Sequence, residues 1–309
     1  MKRESNKPGG LVIVDKPAGF TSHDVVAKMR GMARTRRVGH AGTLDPMATG
    51  VLVLGLERAT KLLGHLALTE KEYVGTVRLG QTTITDDAEG EITASKAAHG
   101  LAREDIDAGV AQLSGAIMQV PSKVSAIKIN GKRSYSRVRE GEDVQIPARP
   151  VTVSSFVVHS AHETEAEDGT PVTDLLVSVE CSSGTYIRAL ARDLGAGLGV
   201  GGHLTALRRT RVGPYKLDRA HTLEQLQAAV DAPEGDGLPI MPVGEAADAA
   251  FTRWDVTEAQ ARLLLNGARI AMPRFEADGP VAAFGPDGRF LALVENQGGK
   301  AKSLAVFAI

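Results

Sequence analysis

The chain has 309 residues, 43% hydrophobic and 24% charged, with a formal net charge of −1 at pH 7. That composition buries a sizeable core and excludes a disordered tail, and the near-neutral balance excludes a protein that coats nucleic acid indiscriminately. The single cysteine, Cys181, excludes an intramolecular disulfide, and the polar stretch Met1 to Gly10 lacks the apolar segment of a signal peptide, so a reducing cytoplasm is expected; no apolar run approaches the ~20 residues that span a bilayer.

From the amino terminus, Leu11 to Val14 is a short apolar run stopped by Asp15-Lys16-Pro17, the pattern of a buried strand entering a loop. Thr21-Ser22-His23-Asp24 predicts a capped helix start, with Val25, Val26, Met29 and Met32 on one face. Val51 to Leu54 predicts a strand, and Ala59, Leu62, Leu63 and Leu66 give the following helix its stripe. Lys71 to Leu79 alternates, with Tyr73, Gly75, Val77 and Leu79 pointing one way, as a half-buried strand does. Ile106, Val110 and Leu113 mark a third helix, and Val151 to Val158 a further strand.

In the second half, Leu175, Val177, Val179 and Cys181 share a strand face, Ser182-Ser183-Gly184 turns the chain, and a helix follows from about Thr185. Its inward stripe is Ile187, Leu190, Ala191, Leu194 and Leu198, and Arg188 sits off that stripe. Ala228 to Ala246, rich in Gly, Pro, Asp and Ala, reads as a linker. Beyond it, Val256 to Ile270 reads as helix, Val281 to Phe284 pairs with Phe290 to Val294 through Pro286-Asp287-Gly288, and Lys302 to Phe307 adds a strand. The irregular order of strands and helices predicts an α+β fold with a mixed, largely antiparallel sheet flanked by helices and a small β-rich C-terminal domain. The expected division is 10–245 and 246–309.

Charge is unevenly spread. Lys28 to Arg37, Lys123 to Arg139 and Arg208 to Lys216 are basic and acid-free, while acids gather at Glu163 to Asp168 and Asp231 to Asp236. Any one such group suits a solvated face, but three in a near-neutral chain point to a polyanion, with RNA or DNA as the leading partner. A lone cysteine and scattered histidines give no metal-ligand spacing, and no P-loop occurs. What remains are polar segments in Gly and Pro frames. In the densest, Gly39 to Gly50, Pro46 forces Asp45 away from helical geometry and presents it on a stiff loop.

Gly42-Thr43-Leu44-Asp45-Pro46-x-Ala48-Thr49-Gly50 resembles the catalytic motif of the bacterial tRNA pseudouridine-55 synthases, the TruB family. The likeness continues in order through Lys16-Pro17-x-Gly19-x-x-Ser22, Lys71-Glu72-Tyr73, Leu79-Gly80-Gln81 and Asp87-x-x-Gly90. It extends to Ser125-Ala126-x-Lys128-x-x-Gly131 with Tyr135, Gly184-Thr185-Tyr186-Ile187-Arg188 and Leu207-Arg208-Arg209, so it covers roughly residues 10 to 216. The family's insertion commonly shows a second proline and an aromatic residue where this chain has Ser122 and Val124.

The resemblance implies the pseudouridine synthase fold, an RNA-gripping insertion at about 120–150 and a PUA-like module at 246–309. It implies isomerisation of uridine to pseudouridine in the T loop of tRNA, with no metal and no organic cofactor. Asp45 is the implied catalytic carboxylate and Arg188 its salt-bridge partner; Tyr73 lies against the target base, where it relays a proton or simply packs in the core. Leu207 forms an apolar wall, His40 fills the space left by the flipped base, and Lys16, Asp87, Tyr186 and Arg209 organise the pocket or touch RNA. A solvated lysine, a turn aspartate, a core leucine and a surface histidine are the bland alternatives. The implied protein is a cytoplasmic monomer that acts on the tRNA T arm with no protein partner and no membrane. Its rivals are a superfamily member aimed at ribosomal RNA or using a guide RNA, and an RNA-folding chaperone that binds without catalysis.

Overall fold

Alternation of apolar and polar side chains over Lys71–Leu79 becomes a strand in which every second residue, from Lys71 through Tyr73 to Leu79, is buried. In the computed structural model, the described residues are 9–122, 128–129, 132–133, 146–232, 237–276 and 279–307. The expected RNA-gripping motif from Ser125 to Tyr135 therefore lies outside them, apart from a backbone ladder pairing Lys128 with Arg133 and Ile129 with Lys132. No described helix is long and apolar enough to cross a membrane.

The chain divides into two compact units: Met1–Asp45, Val51–Leu68 and Val212–Ile309 form the first, and Pro46–Gly50 with Thr69–Arg211 the second. In the first, strand Gly10–Lys16 pairs antiparallel with Met241–Pro242, and Val38–Ala41 pairs antiparallel with the far end of Thr49–Leu56. Helix Ser22–Met32 starts at a capping box in which Thr21 and Asp24 each satisfy the other's backbone N–H. Val25, Val26 and Met29 enter a core with Val12, Val14, Leu52 and Leu54. The expected linker is more ordered than its composition implies. Helix Val243–Ala250 buries Ala246 and Ala247 completely, because alanines let a helix approach a sheet closely; the expected division at 245/246 falls inside it. A four-stranded sheet follows, with Thr252–Asp255 parallel to Val281–Phe284 and the hairpin strands Phe290–Gln297 and Lys300–Val306 antiparallel. Ala246, Ala247, Phe284, Phe290 and Phe307 share one core with Leu11, Ile13, Val51 and Val53.

In the second unit, strand Gly202–Val212 neighbours Lys71–Leu79, followed by Pro171–Cys181, Arg149–Glu165 and Gly115–Gln119. The long register from Thr173↔Leu79 to Cys181↔Lys71 is antiparallel, whereas Arg208 and Arg209 pair in parallel with Thr49 and Gly50. This is the mixed, largely antiparallel α+β architecture expected from the sequence. Helix Ile187–Gly197 buries Ile187, Leu190, Ala191 and Leu194, and two glycines let its end close tightly: a Cβ on Gly195 would lie 2.2 Å from the backbone of Gly201.

Candidate functional site

Three of the nominated residues, Lys16, His40 and Asp45, belong to the first unit. Lys16 ends strand Gly10–Lys16 with no exposed surface, and its ammonium donates to the carbonyls of Pro17 (2.9 Å) and Phe20 (2.6 Å), closing the turn between strand and helix. His40 lies in strand Val38–Ala41, its ring 5.4 Å from that of His23 in an edge-to-face arrangement. Asp45 follows Leu44, whose backbone N–H donates to the Ser22 hydroxyl (2.9 Å) while its carbonyl accepts from the same hydroxyl (3.2 Å). Beside His40, a cleft of about 500 Å³ is lined by Arg36, Arg37, Gly39, Glu57, Arg58 and Lys61 among others. The first basic group thus meets Arg58 and Lys61, whose place in the cleft no local charge run announced.

The other six, Tyr73, Asp87, Tyr186, Arg188, Leu207 and Arg209, belong to the second unit. Tyr73 and Lys71 are buried on one face of Lys71–Leu79, and Leu207 and Arg209 are the buried alternate positions of the neighbouring strand. Gly75 keeps the two strands close, since a Cβ there would sit 2.8 Å from the carbonyl of Ala206 and 3.3 Å from Leu207 Cδ1. Gly50 does the same beside Arg209: its φ is +101° and a Cβ would lie 2.2 Å from the Arg209 carbonyl oxygen, so only glycine fits. Burial, reinforced by the charge of Arg209, pushes the Lys71 ammonium down to about 8. Burial also pushes the adjacent Cys181 thiol up to about 11, so it stays protonated at neutral pH.

Arg188 is 5% exposed and Asp87 1%, although Arg188 lies off the apolar stripe of its helix. The reason is a desolvated ion pair: Arg188 Nη1 donates to Asp87 Oδ2 at 3.1 Å and to the carbonyl of Thr85 at 2.8 Å. The other carboxylate oxygen of Asp87 accepts from the Thr85 hydroxyl (2.5 Å) and the Glu89 N–H (3.0 Å), so one aspartate both shapes its turn and holds the guanidinium. Tyr186, at the N-cap of the Arg188 helix, is gripped by a residue the sequence did not single out. Gln119 Oε1 accepts its N–H (2.8 Å) and Gln119 Nε2 donates to its carbonyl (3.1 Å). Arg149, the cross-strand partner of Gln119, stacks over the Tyr186 ring at 4.8 Å and donates to Gly184 O. In the third basic group, Arg211 meets Glu70 and Glu72, each at 3.3 Å, an internal pairing that leaves it less available to a polyanion.

Comparison with known proteins gives this arrangement a context. Residues 30–187 match the TruB family pseudouridylate synthase N-terminal domain, residues 188–239 the tRNA pseudouridylate synthase B C-terminal domain, and residues 251–308 the family described as tRNA pseudouridine synthase II, C terminal. The chain is 73% identical over 308 residues to the tRNA pseudouridine synthase B of Streptomyces griseus subsp. griseus, covering 100% of both chains. It is 54% identical to that of Thermobifida fusca, over 97% of this chain and 98% of the relative. Among solved structures, it resembles one in a Cbf5-Nop10-Gar1 complex (TM-score 0.71, 27% identity, 97% of this chain and 84% of that one). Another is in an H/ACA RNP bound to a substrate RNA containing 2'-deoxyuridine (TM-score 0.70, 25% identity, 97% and 85%).

Proposed function

The chain belongs to the TruB family of pseudouridylate synthases, and on that premise we propose that it isomerises the uridine at position 55 in the T loop of tRNA through Asp45. It is a tRNA pseudouridine synthase, an isomerase acting on uridine within tRNA. The reaction breaks the bond from ribose C1′ to base N1, turns the base, and joins C1′ to C5; the C5 hydrogen leaves as a proton and N1 gains one. Atoms and electrons balance without a redox partner. Attack on ribose, addition to the base and elimination through a glycal all use an ionised carboxylate sheltered from water.

The observation that carries the reading is the Asp45 loop. It is irregular backbone inside the stretch, residues 30–187, that matches the family's N-terminal domain, and a buried hydroxyl holds the residue before the acid. In this reading Arg188 pairs with Asp45 as well as Asp87 and keeps the catalytic carboxylate charged. Tyr73 lies against the extruded uracil with Leu207 as an apolar wall, and His40 fills the vacated stack. Flipping costs a few kcal/mol, returned by these contacts. Arg36, Arg37, Arg58 and Lys61 take backbone phosphates, so affinity falls with salt, and Lys16, Tyr186 and Arg209 hold the pocket's frame. The synthase fold carries the chemistry, and a PUA-like module is built around the C-terminal four-stranded sheet that begins at Thr252. The enzyme works as a cytoplasmic monomer, without guide RNA or protein partner.

The test is to treat an unmodified tRNA transcript with purified protein alone and map pseudouridine at nucleotide resolution. One new pseudouridine, at position 55, is expected. Modification at another position, or only after a guide RNA is added, contradicts the proposal.

A further inference from the structure

We propose that Ser22 is a positioning residue for the catalytic loop, its hydroxyl setting the peptide plane that presents Asp45. The proposal rests on the reading of Asp45 as the catalytic carboxylate.

An irregular loop has no ladder to satisfy its backbone, so each buried N–H and C=O needs another partner. At Leu44 both groups go to one side chain, the hydroxyl of Ser22, which is 1% exposed and lies 22 residues earlier. A serine hydroxyl has one proton to donate and lone pairs to accept, and here the proton goes to Leu44 O while a lone pair takes Leu44 N–H. The carbonyl it holds belongs to the same rigid peptide unit as the Asp45 nitrogen, so the bond fixes that plane. On the other side, Pro46 restricts the backbone of Asp45 to extended geometry. With one flank pinned and the other restricted, the carboxylate retains little freedom beyond its own side-chain torsions.

Ser22 is itself held in place. It is the first residue of its helix, directly after Thr21, and the reciprocal Thr21 and Asp24 bonds (2.9 and 3.1 Å) fix the start of that helix. The Lys16 ammonium ties down the carbonyls of Pro17 and Phe20 immediately before it. A chain of short contacts thus runs from the end of the first strand through Ser22 to the residue before Asp45. Displacement of a reacting group by about 1 Å costs on the order of a hundredfold in rate, whereas RNA affinity comes mainly from phosphate contacts that Ser22 does not make.

The experiment compares Ser22→Ala, Ser22→Thr and Ser22→Cys in the full-length protein, measuring single-turnover tritium release from 5-tritiated uridine in tRNA, tRNA affinity and melting temperature. Ser22→Ala is expected to slow the single-turnover rate about ten- to a hundredfold while tRNA affinity changes less than about threefold. Ser22→Thr, which keeps the hydroxyl, restores most of the rate. Ser22→Cys preserves the volume but has a weak donor and acceptor; it folds and stays slow, so the assignment remains testable even where threonine is too bulky. A rate in Ser22→Ala or Ser22→Cys within about twofold of the parent, or a defect confined to tRNA affinity, overturns it. Asp45→Asn run in parallel separates the two claims: retained turnover there removes the catalytic reading itself, while an inactive Asp45→Asn with fully active serine variants removes only the role of Ser22.

Discussion

Asp45 and Arg188 are carried by backbone of opposite kinds. The acid stands on an irregular loop of the first unit, where the residue before it exchanges two hydrogen bonds with one serine, one donated and one accepted. The arginine stands in the first turn of a helix of the second unit, where a buried aspartate and the Thr85 carbonyl hold its side chain. The loop is fixed through its backbone and the helix residue through its charge. Neutral hydrogen bonds contribute about 0.5–1.5 kcal/mol each, while breaking a buried ion pair by removing one partner costs about 3–5 kcal/mol because the other charge is stranded. Damage at the two regions should therefore differ in kind: slow chemistry with intact folding at the loop, and both slow chemistry and lost stability at the pair.

The largest effect is expected from Arg188→Met. It removes the guanidinium and leaves the Asp87 carboxylate, 1% exposed, without its ion partner. Single-turnover rate should fall by at least about a hundredfold, with roughly 3–5 kcal/mol lost in urea unfolding. A loss under about tenfold with unchanged unfolding shows that the pair is not the organising contact. The Ser22 series sits below this, with its effect confined to rate.

A smaller effect concerns pH. Lys71 is depressed to about 8 in the folded protein by burial and by Arg209, against an ordinary value of 10.5. Its burial cost is fully present below about pH 8, where folded and unfolded chains both carry the proton. Between about 8 and 10.5 the unfolded chain binds more protons than the folded one, so stability gains a positive slope with pH there. Lys71→Met should flatten that slope in urea unfolding from pH 7 to 10.5. An unchanged slope means that Lys71 is not the group responsible.

The same contrast explains what the sequence disclosed. Period-two alternation announced Lys71–Leu79 and the Leu175 to Cys181 face, and the Thr21 to Asp24 signal announced its capped helix, because both patterns are local. The hydroxyl of Ser22 meets a residue 22 positions away and Gln119 clamps one 67 positions away, distances at which no spacing rule operates. Arg188 defeated the apolar stripe because an ion pair, not hydrophobicity, draws it inward. Strand Arg149–Glu165 outruns its apolar marker, since its far end pairs with Pro171–Leu176 through exposed polar residues that carry no burial signal. Helix Val243–Ala250 starts in the last four residues of Ala228 to Ala246, whose Gly, Pro, Asp and Ala content reads as a linker. The candidate site residues themselves came from family motifs, which local physics would not have assembled.

The central claim is that one carboxylate performs the reaction without being needed to hold RNA. The direct measurement is tritium release from 5-tritiated uridine in tRNA by Asp45→Asn under single-turnover conditions, with tRNA affinity determined on the same preparation. Release should vanish while affinity stays within a few fold of the parent; sustained release, or binding lost together with activity, would contradict the account.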